Sequence, residues 1–314
     1  MTKWLNIVLL TLLLVVGLPV YWLFLDTSPW NVAAKPLDIA EVRRLAESMP
    51  GPKAVRIDFA VPACNAFPSD VMAAGSGLKR RSNCAIAYRL EVPGHGPVMI
   101  DSGVTPAFAR SAGMSFDPRI QGVIDRNLER AGLVLLTHEH PDHIGGLAAL
   151  AGKPGGLGVA SRAKLNSAQL PSATSAYKLD WPVGLVLRAN LSSAAPQAVA
   201  PGIVVIPAPG HSPGSQLIYV RLASGREYIF AGDTATMAVS WRELRPRSRF
   251  VSDYYSPEDR RAVIGWLHAL HKLNRAHPKI TIVPGHDFDW MISPDSRSGM
   301  DNFAAKLVNN RAGS

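Results

Sequence analysis

The chain has 314 residues, enough for one large or two modest domains around a buried core. Apolar residues make up 47% and charged residues 18%, with 26 Gly and 25 Pro, which excludes a disordered, collagen-like or low-complexity chain. The net charge of +9 admits anionic lipid, nucleic acid or a small acidic substrate, and two cysteines are too few for a four-cysteine zinc site, so any metal site must rest on His and carboxylates.

From Trp4 to Leu25, 22 residues run without a charge. A helix of that length spans about 33 Å, enough for a hydrocarbon layer of about 30 Å. Residues 1–26 therefore read as a transmembrane anchor. With Lys3 before the helix and Asp26 after it, the N-terminus is expected in the cytoplasm and the body on the periplasmic side of an inner membrane. The alternative is a signal peptide cleaved near Val32-Ala33-Ala34, which would release the body into the periplasm.

Residues 27–52 are expected as a linker and a short helix, capped by Asp38, with Ile39, Val42 and Leu45 on one face and Pro50-Gly51-Pro52 as its stop. The body, 53–314, begins with strands predicted at Val55–Val61, Ala85–Val92 and Val98–Ile100, the last two joined by a Gly-rich turn. Ile120, Val123, Ile124 and Leu128 give Pro118–Arg130 helical spacing, and the apolar run Leu133–Leu136 follows as a buried strand. Further strands are expected at Gly184–Leu187, Ile203–Ile206, Gln216–Leu222, Glu227–Phe230 and Lys279–Val283. A helix is predicted to start at Ser256-Pro257, with Asp259 as its third residue, and to run to about Ala276. In an exported body Cys64 and Cys84 can form a disulfide; two free buried thiols are the alternative.

The chemistry concentrates in Leu133–Gly146, where an apolar strand stops at Thr137 and His138, His140, Asp142 and His143 follow within six residues. In extended backbone His138 and His140 leave the same side and can share one metal, and Pro141 turns the chain so that Asp142 and His143 reach a second. His211, Asp233 and His286 each follow a predicted strand through a Gly, which brings them to the same set of strand ends. His95, His268, His271 and His277 fit no such pattern and read as surface or helix-end residues.

The order His-x-His-x-Asp-His, His, Asp, His resembles the metallo-β-lactamase-fold hydrolase superfamily over Val55 to Asp289, and Asp101 resembles its strand-end Asp. The resemblance implies an α/β fold, a four-layer αββα sandwich with a dinuclear site at the edge between its two sheets. It further implies one metal on His138, His140 and His211, a second on Asp142, His143 and His286, and Asp233 between them. Two Zn²⁺ are the expected ions, although the same ligands suit Fe or Mn. Such a pair would supply a hydroxide that attacks a carbonyl, with Asp142 as the catalytic acid-base group and Asp101 holding the ligand loop.

Asp233 as a bridging residue is similar to the glyoxalase II, lactonase and nuclease branches, and the segments around His211 and His286 are most similar to the N-acyl-homoserine-lactone lactonases. Those enzymes carry a Tyr where this chain has Thr236; Tyr254 or Tyr255 is a candidate replacement. Basic clusters stand at Lys79-Arg80-Arg81 and at Arg242, Arg245, Arg247 and Arg249, and Arg242 is a candidate substrate contact. The expected partners are a small ester, lactone or related substrate and, through the N-terminal helix, a membrane; nucleic acid is not favoured. Phosphodiester cleavage and a non-catalytic metal-binding role are the alternatives.

Overall fold

The computed structural model describes residues 2–305 apart from 175, 176 and 178; the end of the expected body, 306–314, lies outside the described residues. Two sheets stack face to face. The N-terminal half supplies β1 (Arg56–Pro68), β2 (Arg80–Glu91), β3 (Val98–Ile100), β4 (Ser115–Phe116), β5 (Leu133–Leu135) and β6 (Ala163–Lys164). The C-terminal half supplies β7 (Gln197–Ala200), β8 (Ile203–Pro207), β9 (Gln216–Arg221), β10 (Glu227–Gly232) and β11 (Ile280–Pro284), and β12 (Asp301–Asn302) returns to the first sheet. The strand orders are β12-β1-β2-β3-β5-β6, with β4 also on β1, and β11-β10-β9-β8-β7.

Strand alternation explains the layering. Ile86, Tyr88 and Leu90 of β2 point between the sheets, where Tyr88 meets Phe230 edge to face at 4.7 Å between ring centroids. Ala87 points the other way, onto the layer that holds Met99, Val134 and Leu136 under Ile120, Ile124 and Leu128 of the helix Pro118–Arg130. On the far side the helix Arg260–Ala276 buries Val263, Trp266, Leu267 and Leu270. The result is the four-layer αββα sandwich.

Several elements differ from the sequence expectation. β1 and β2 pair along their whole length, from Arg56 opposite Glu91 to Pro68 opposite Arg80, with an irregularity between Ala60 and Ala63; the disulfide Cys64–Cys84 joins directly opposed residues. Gly184–Leu187 is not a strand: Val183 and Val186 face solvent, so those apolar side chains have no core to join. The helix expected from Ser256 begins at Arg260, because Asp259 is the cap, its carboxylate accepting from Ala262 N at 2.9 Å.

The Asp38-capped helix expected within residues 27–52 is present, and it packs on the body. Val42 and Ala46 of the helix Ile39–Ala46 enter the main core, and Arg43 pairs with Glu227 on β10 at 2.7 Å. Ahead of them the apolar helix runs Thr2–Leu25 with a mean hydropathy of 2.5 and none of its most apolar window buried. Asp26, at its foot, is 6% exposed and pinned to the body by Arg249.

Candidate metal centre

The site is built from strand ends. Past β5 the chain passes through Thr137 to His138 and His140, and Pro141 opens the helix Pro141–Ala151, placing Asp142 and His143 in its first turn. His211 comes from the turn between β8 and β9, Asp233 from the end of β10 and His286 from the end of β11. Two glycines allow these ends to close on one another. A Cβ at Gly285 would lie 2.3 Å from Asp233 Oδ1, and one at Gly232, whose φ is +50°, would lie 2.7 Å from Thr137 Cβ.

Ligand atoms converge in three sets, each within 4.8 Å: His138, His140 and His211; Asp142, His143 and His286; and His138, His143 and Asp233. The third set shares a ring with each of the others, so the three form one continuous cluster. His211 Nε2 lies 3.2 Å from His138 Nε2 and 2.9 Å from His140 Nδ1, while the Nε2 atoms of His143 and His286 are 3.3 Å apart.

Acceptor-only partners behind two of the rings fix which nitrogen carries the proton. His143 Nδ1 donates to Asp101 Oδ2 at 2.9 Å and His286 Nδ1 to the Cys84 carbonyl at 2.7 Å, while His211 Nδ1 is flanked by the acceptor Glu258 Oε2 at 3.0 Å and the donor Arg247 Nη2 at 2.7 Å. As neutral imidazoles, His143 and His286 therefore turn lone pairs toward the cluster. Lone pairs face lone pairs and carboxylate oxygens in a buried space, which fits a cation between them and little else. Asp101, in left-handed backbone at φ +60°, also accepts from Thr137 N at 2.7 Å and so ties the ligand loop to β3.

The field at the site is divided. Burial, then the neighbouring imidazoles, hold His138 and His140 well below the ordinary histidine range. Burial also opposes a charge on His143, but Asp101, Asp142 and Asp233 outweigh it and raise that ring to about 10, which puts a second proton on Nε2 that a bound cation would displace. Burial would raise Asp233, yet His286 and His211 keep its carboxylate well below the usual range.

Three buried groups that sequence reasoning missed complete the frame. Glu139 accepts from Ser212 Oγ at 2.8 Å and Gly214 N at 3.1 Å, joining the His138–His140 segment to the His211 turn. Its place between two candidate ligands was the available signal, since alternation sends it to the opposite side. Glu258 carried none, and Arg247 was visible only as one member of the basic cluster after Asp233. Arg247 is 5% exposed, pairs with Glu258 at 2.5 Å and lies 3.9 Å from Asp233 Oδ2. Burial works against its charge, but Glu258 and Asp233 raise its pKa above the arginine norm.

A cavity of about 760 Å³ stands over the cluster; His140, Asp142, Asp233 and His286 form its floor, with Arg247 and Tyr177 beside them. Of the candidate substrate contacts, Tyr255 lines this cavity, while Tyr254 is exposed and edge-on to Trp22 at 6.4 Å. Arg242 is elsewhere. It ends the helix Ala238–Arg242 and lies over Trp290 at 5.4 Å in a separate cleft, because the helix buries Trp241 and turns Arg242 onto the neighbouring ring. Thr236 is buried, its hydroxyl donating to the Asp233 carbonyl at 3.4 Å.

A family model described as the metallo-beta-lactamase superfamily matches residues 84–286. No curated protein matches the chain. Among solved structures, a quorum-quenching N-acyl homoserine lactone lactonase is 16% identical, with a TM-score of 0.55 over 76% of this chain and 95% of its own. An N-acyl homoserine lactone hydrolase with N-hexanoyl-L-homoserine bound at its catalytic metal center is also 16% identical, with a TM-score of 0.53 over 76% of this chain and 95% of its own. A probable metal-dependent hydrolase from Staphylococcus aureus is 16% identical as well, with a TM-score of 0.54 over 76% of this chain and 91% of its own. At such identities the likeness is one of fold, and the matched model carries the membership: spanning more than half of the sequence, it assigns the chain to the metallo-beta-lactamase superfamily.

Proposed function

We propose that this metal-dependent hydrolase holds two Zn²⁺ ions, one on His138, His140 and His211 and the other on Asp142, His143 and His286, with Asp233 shared, and cleaves a small ester or lactone. The observation that carries the reading is the continuous cluster of ligand atoms on the floor of a substrate-sized cavity. Bound there, the ions would supply a Lewis acid for a carbonyl oxygen and a water acidified toward neutral pH.

The chain's own groups do the rest. Asp142 is the partly exposed carboxylate on the floor, 3.5 Å from His286 Nε2, and is placed to hold a proton and pass it to the leaving oxygen. Asp101 and the Cys84 carbonyl keep His143 and His286 in one tautomer and orientation, and Glu258 with Arg247 holds the His211 ring in place. With Thr236 spent on the backbone, the phenols at hand are Tyr177, whose ring lies 5.0 Å from His140, and Tyr255. The lactonase-like fold supports a lactone or ester over a phosphodiester. So does the use of the arginines: Arg245 donates to the Ala74 and Gly75 carbonyls and Arg249 to Asp26, leaving no basic track there for a polyanion.

The apolar helix is read as a single membrane anchor with the body on the periplasmic side. Its foot supports retention over cleavage near Ala34. Arg260, 7% exposed, donates to the Asp26 and Ser28 carbonyls at 2.6 and 2.9 Å, and cleavage would leave that buried guanidinium without these acceptors.

Metal analysis of the purified full chain together with a panel of lactones, esters and bis-p-nitrophenyl phosphate tests the assignment. Two zinc ions per chain and turnover of a lactone or ester, lost on chelation and in His211→Ala, are expected. Turnover of the phosphodiester alone, or activity unchanged in His211→Ala, overturns it.

A further inference from the structure

The cavity wall on one side is the membrane anchor's own docking surface. Phe24, in the last turn of the apolar helix, stacks on Phe250 at 5.6 Å, and Gly75 N donates to the Phe24 carbonyl at 2.9 Å, just beyond the short helix Ser69–Met72. Phe250 and Val251 on one segment, and Val71 and Met72 on the other, line the cavity over the metal cluster. The foot of the membrane helix thus touches both segments whose opposite faces look down on the candidate metal centre.

The rim has the composition of a membrane interface. Trp22, Trp30, Phe250, Tyr254 and Tyr255 are all exposed around the foot of the helix, where amphipathic rings sit at headgroup level in spanning proteins. Arg249 lies over the Trp22 ring at 5.2 Å while bonded to Asp26, so the helix leaves the body at a fixed place. Phe67, Val71, Met72, Phe108 and Met114 give the cavity apolar walls, interrupted by Asn65, Asn83 and Ser111, and its titratable groups gather at the metal-ligand cluster. A cavity with an apolar throat, a polar floor and an aromatic mouth matches a molecule with one long acyl chain and a carbonyl at its polar end.

The geometry points to a substrate class: an acyl lipid carrying an ester or lactone, taken directly from the bilayer in which the enzyme is anchored. The assignment rests on the reading of the floor as a hydrolytic metal centre. In the reaction the oxygen of water bonds to the acyl carbon and the acyl carbon–oxygen bond breaks. One water proton goes to the leaving oxygen and the other to solvent, so the products are a carboxylate and an alcohol. The chain would remain along Phe67, Val71 and Phe250 while the carbonyl reaches Asp142 and Asp233.

The test uses the full chain with its metal, reconstituted into phosphatidylcholine vesicles, and two esters: p-nitrophenyl butyrate, which is water-borne, and p-nitrophenyl palmitate, dissolved either in the same vesicles or in a separate population. Palmitate in the shared bilayer is concentrated at the cavity mouth, whereas butyrate must be captured from bulk water, so palmitate is expected to exceed butyrate by at least about tenfold. It should also exceed palmitate in separate vesicles by a similar factor, and Tyr254→Asp, on the exposed rim beside Trp22 and outside the cavity, should remove most of the advantage. Turnover of butyrate with no gain for palmitate, or equal palmitate rates from shared and separate vesicles, overturns the lipid assignment and leaves the hydrolase reading standing. Failure to turn over either ester overturns the ester-hydrolase reading itself, and the lipid assignment with it.

Discussion

The floor and the wall of the cavity are built on opposite principles. The floor hangs from the ends of β3, β5, β10 and β11 and the turn between β8 and β9, is largely buried, and has Asp101, Glu258 and the Cys84 carbonyl behind three of its five rings. The wall is made of short, irregular segments, Ser69–Met72 and Phe250–Tyr255, and its stiffness is borrowed from an apolar helix that leaves the body altogether. Chemistry needs ligand atoms fixed to within tenths of an ångström, which strand ends provide. Substrate choice tolerates, and here uses, a surface that a second element completes.

Glu258→Gln probes the floor and has the largest effect expected of a residue that does not face the metals. It keeps the side-chain shape but removes the charge that orders His211 and balances Arg247, so metal affinity should fall by about 10–100-fold. Zinc titration followed by turnover measures it; unchanged affinity would show that His211 is positioned by the β8–β9 turn alone.

Asp26→Ala probes the wall. It deprives Arg249 of its partner and should cost about 1–3 kcal/mol in chemical denaturation while leaving the metal content intact. Burial alone would raise the Asp26 pKa, but the bonds from Ser28 and Arg249 lower it below its ordinary value. A carboxylate with a depressed folded pKa contributes stability in full above its unfolded value, and loses it as the pH falls through the folded one. The unsubstituted protein should therefore show a steeper loss of stability on acidification than the variant. Equal slopes would mean that the contact between anchor and body is not electrostatic.

These two regions also differ in how far the sequence reveals them. The floor is legible because its ligands fall at fixed spacing after apolar runs: a strand end followed by His-x-His-x-Asp-His constrains where four side chains go, and Asp233 and His286 repeat the strand–Gly–ligand pattern. Asp101 was readable for the same reason. Glu258 and Arg247 were not, since a buried ion pair between a loop and a helix approach has no period. The wall was invisible because Phe24 and Phe250 are far apart in sequence and neither segment has strand or helix spacing long enough to show a face. The linker ahead of the Asp38-capped helix looked free of the body because Pro and polar residues dominate it, yet the Ser28 carbonyl within it and Asp26 just before it are held by arginines from the other end of the chain. Local composition is a poor guide when the partner is more than two hundred residues away.

Arg242 and Arg247 make the smallest and most pointed comparison, because one cluster in the sequence contains both and spacing alone cannot tell which faces the substrate. Arg242 rests on Trp290 in a different cleft, so Arg242→Ala removes a cation–aromatic contact of about 0.5–1 kcal/mol. A slight loss of thermal stability with unchanged kcat/KM is expected. Arg247 faces Asp233 and Glu258, and its loss leaves a buried carboxylate without its counter-charge, so Arg247→Ala should behave like the Glu258 variant. Steady-state kinetics on both variants decides the matter. If Arg242→Ala changed KM while Arg247→Ala did not, substrate would be entering through the cleft at Trp290, and the division of the cavity into a ligand-bearing floor and a wall braced by the apolar helix would have to be redrawn.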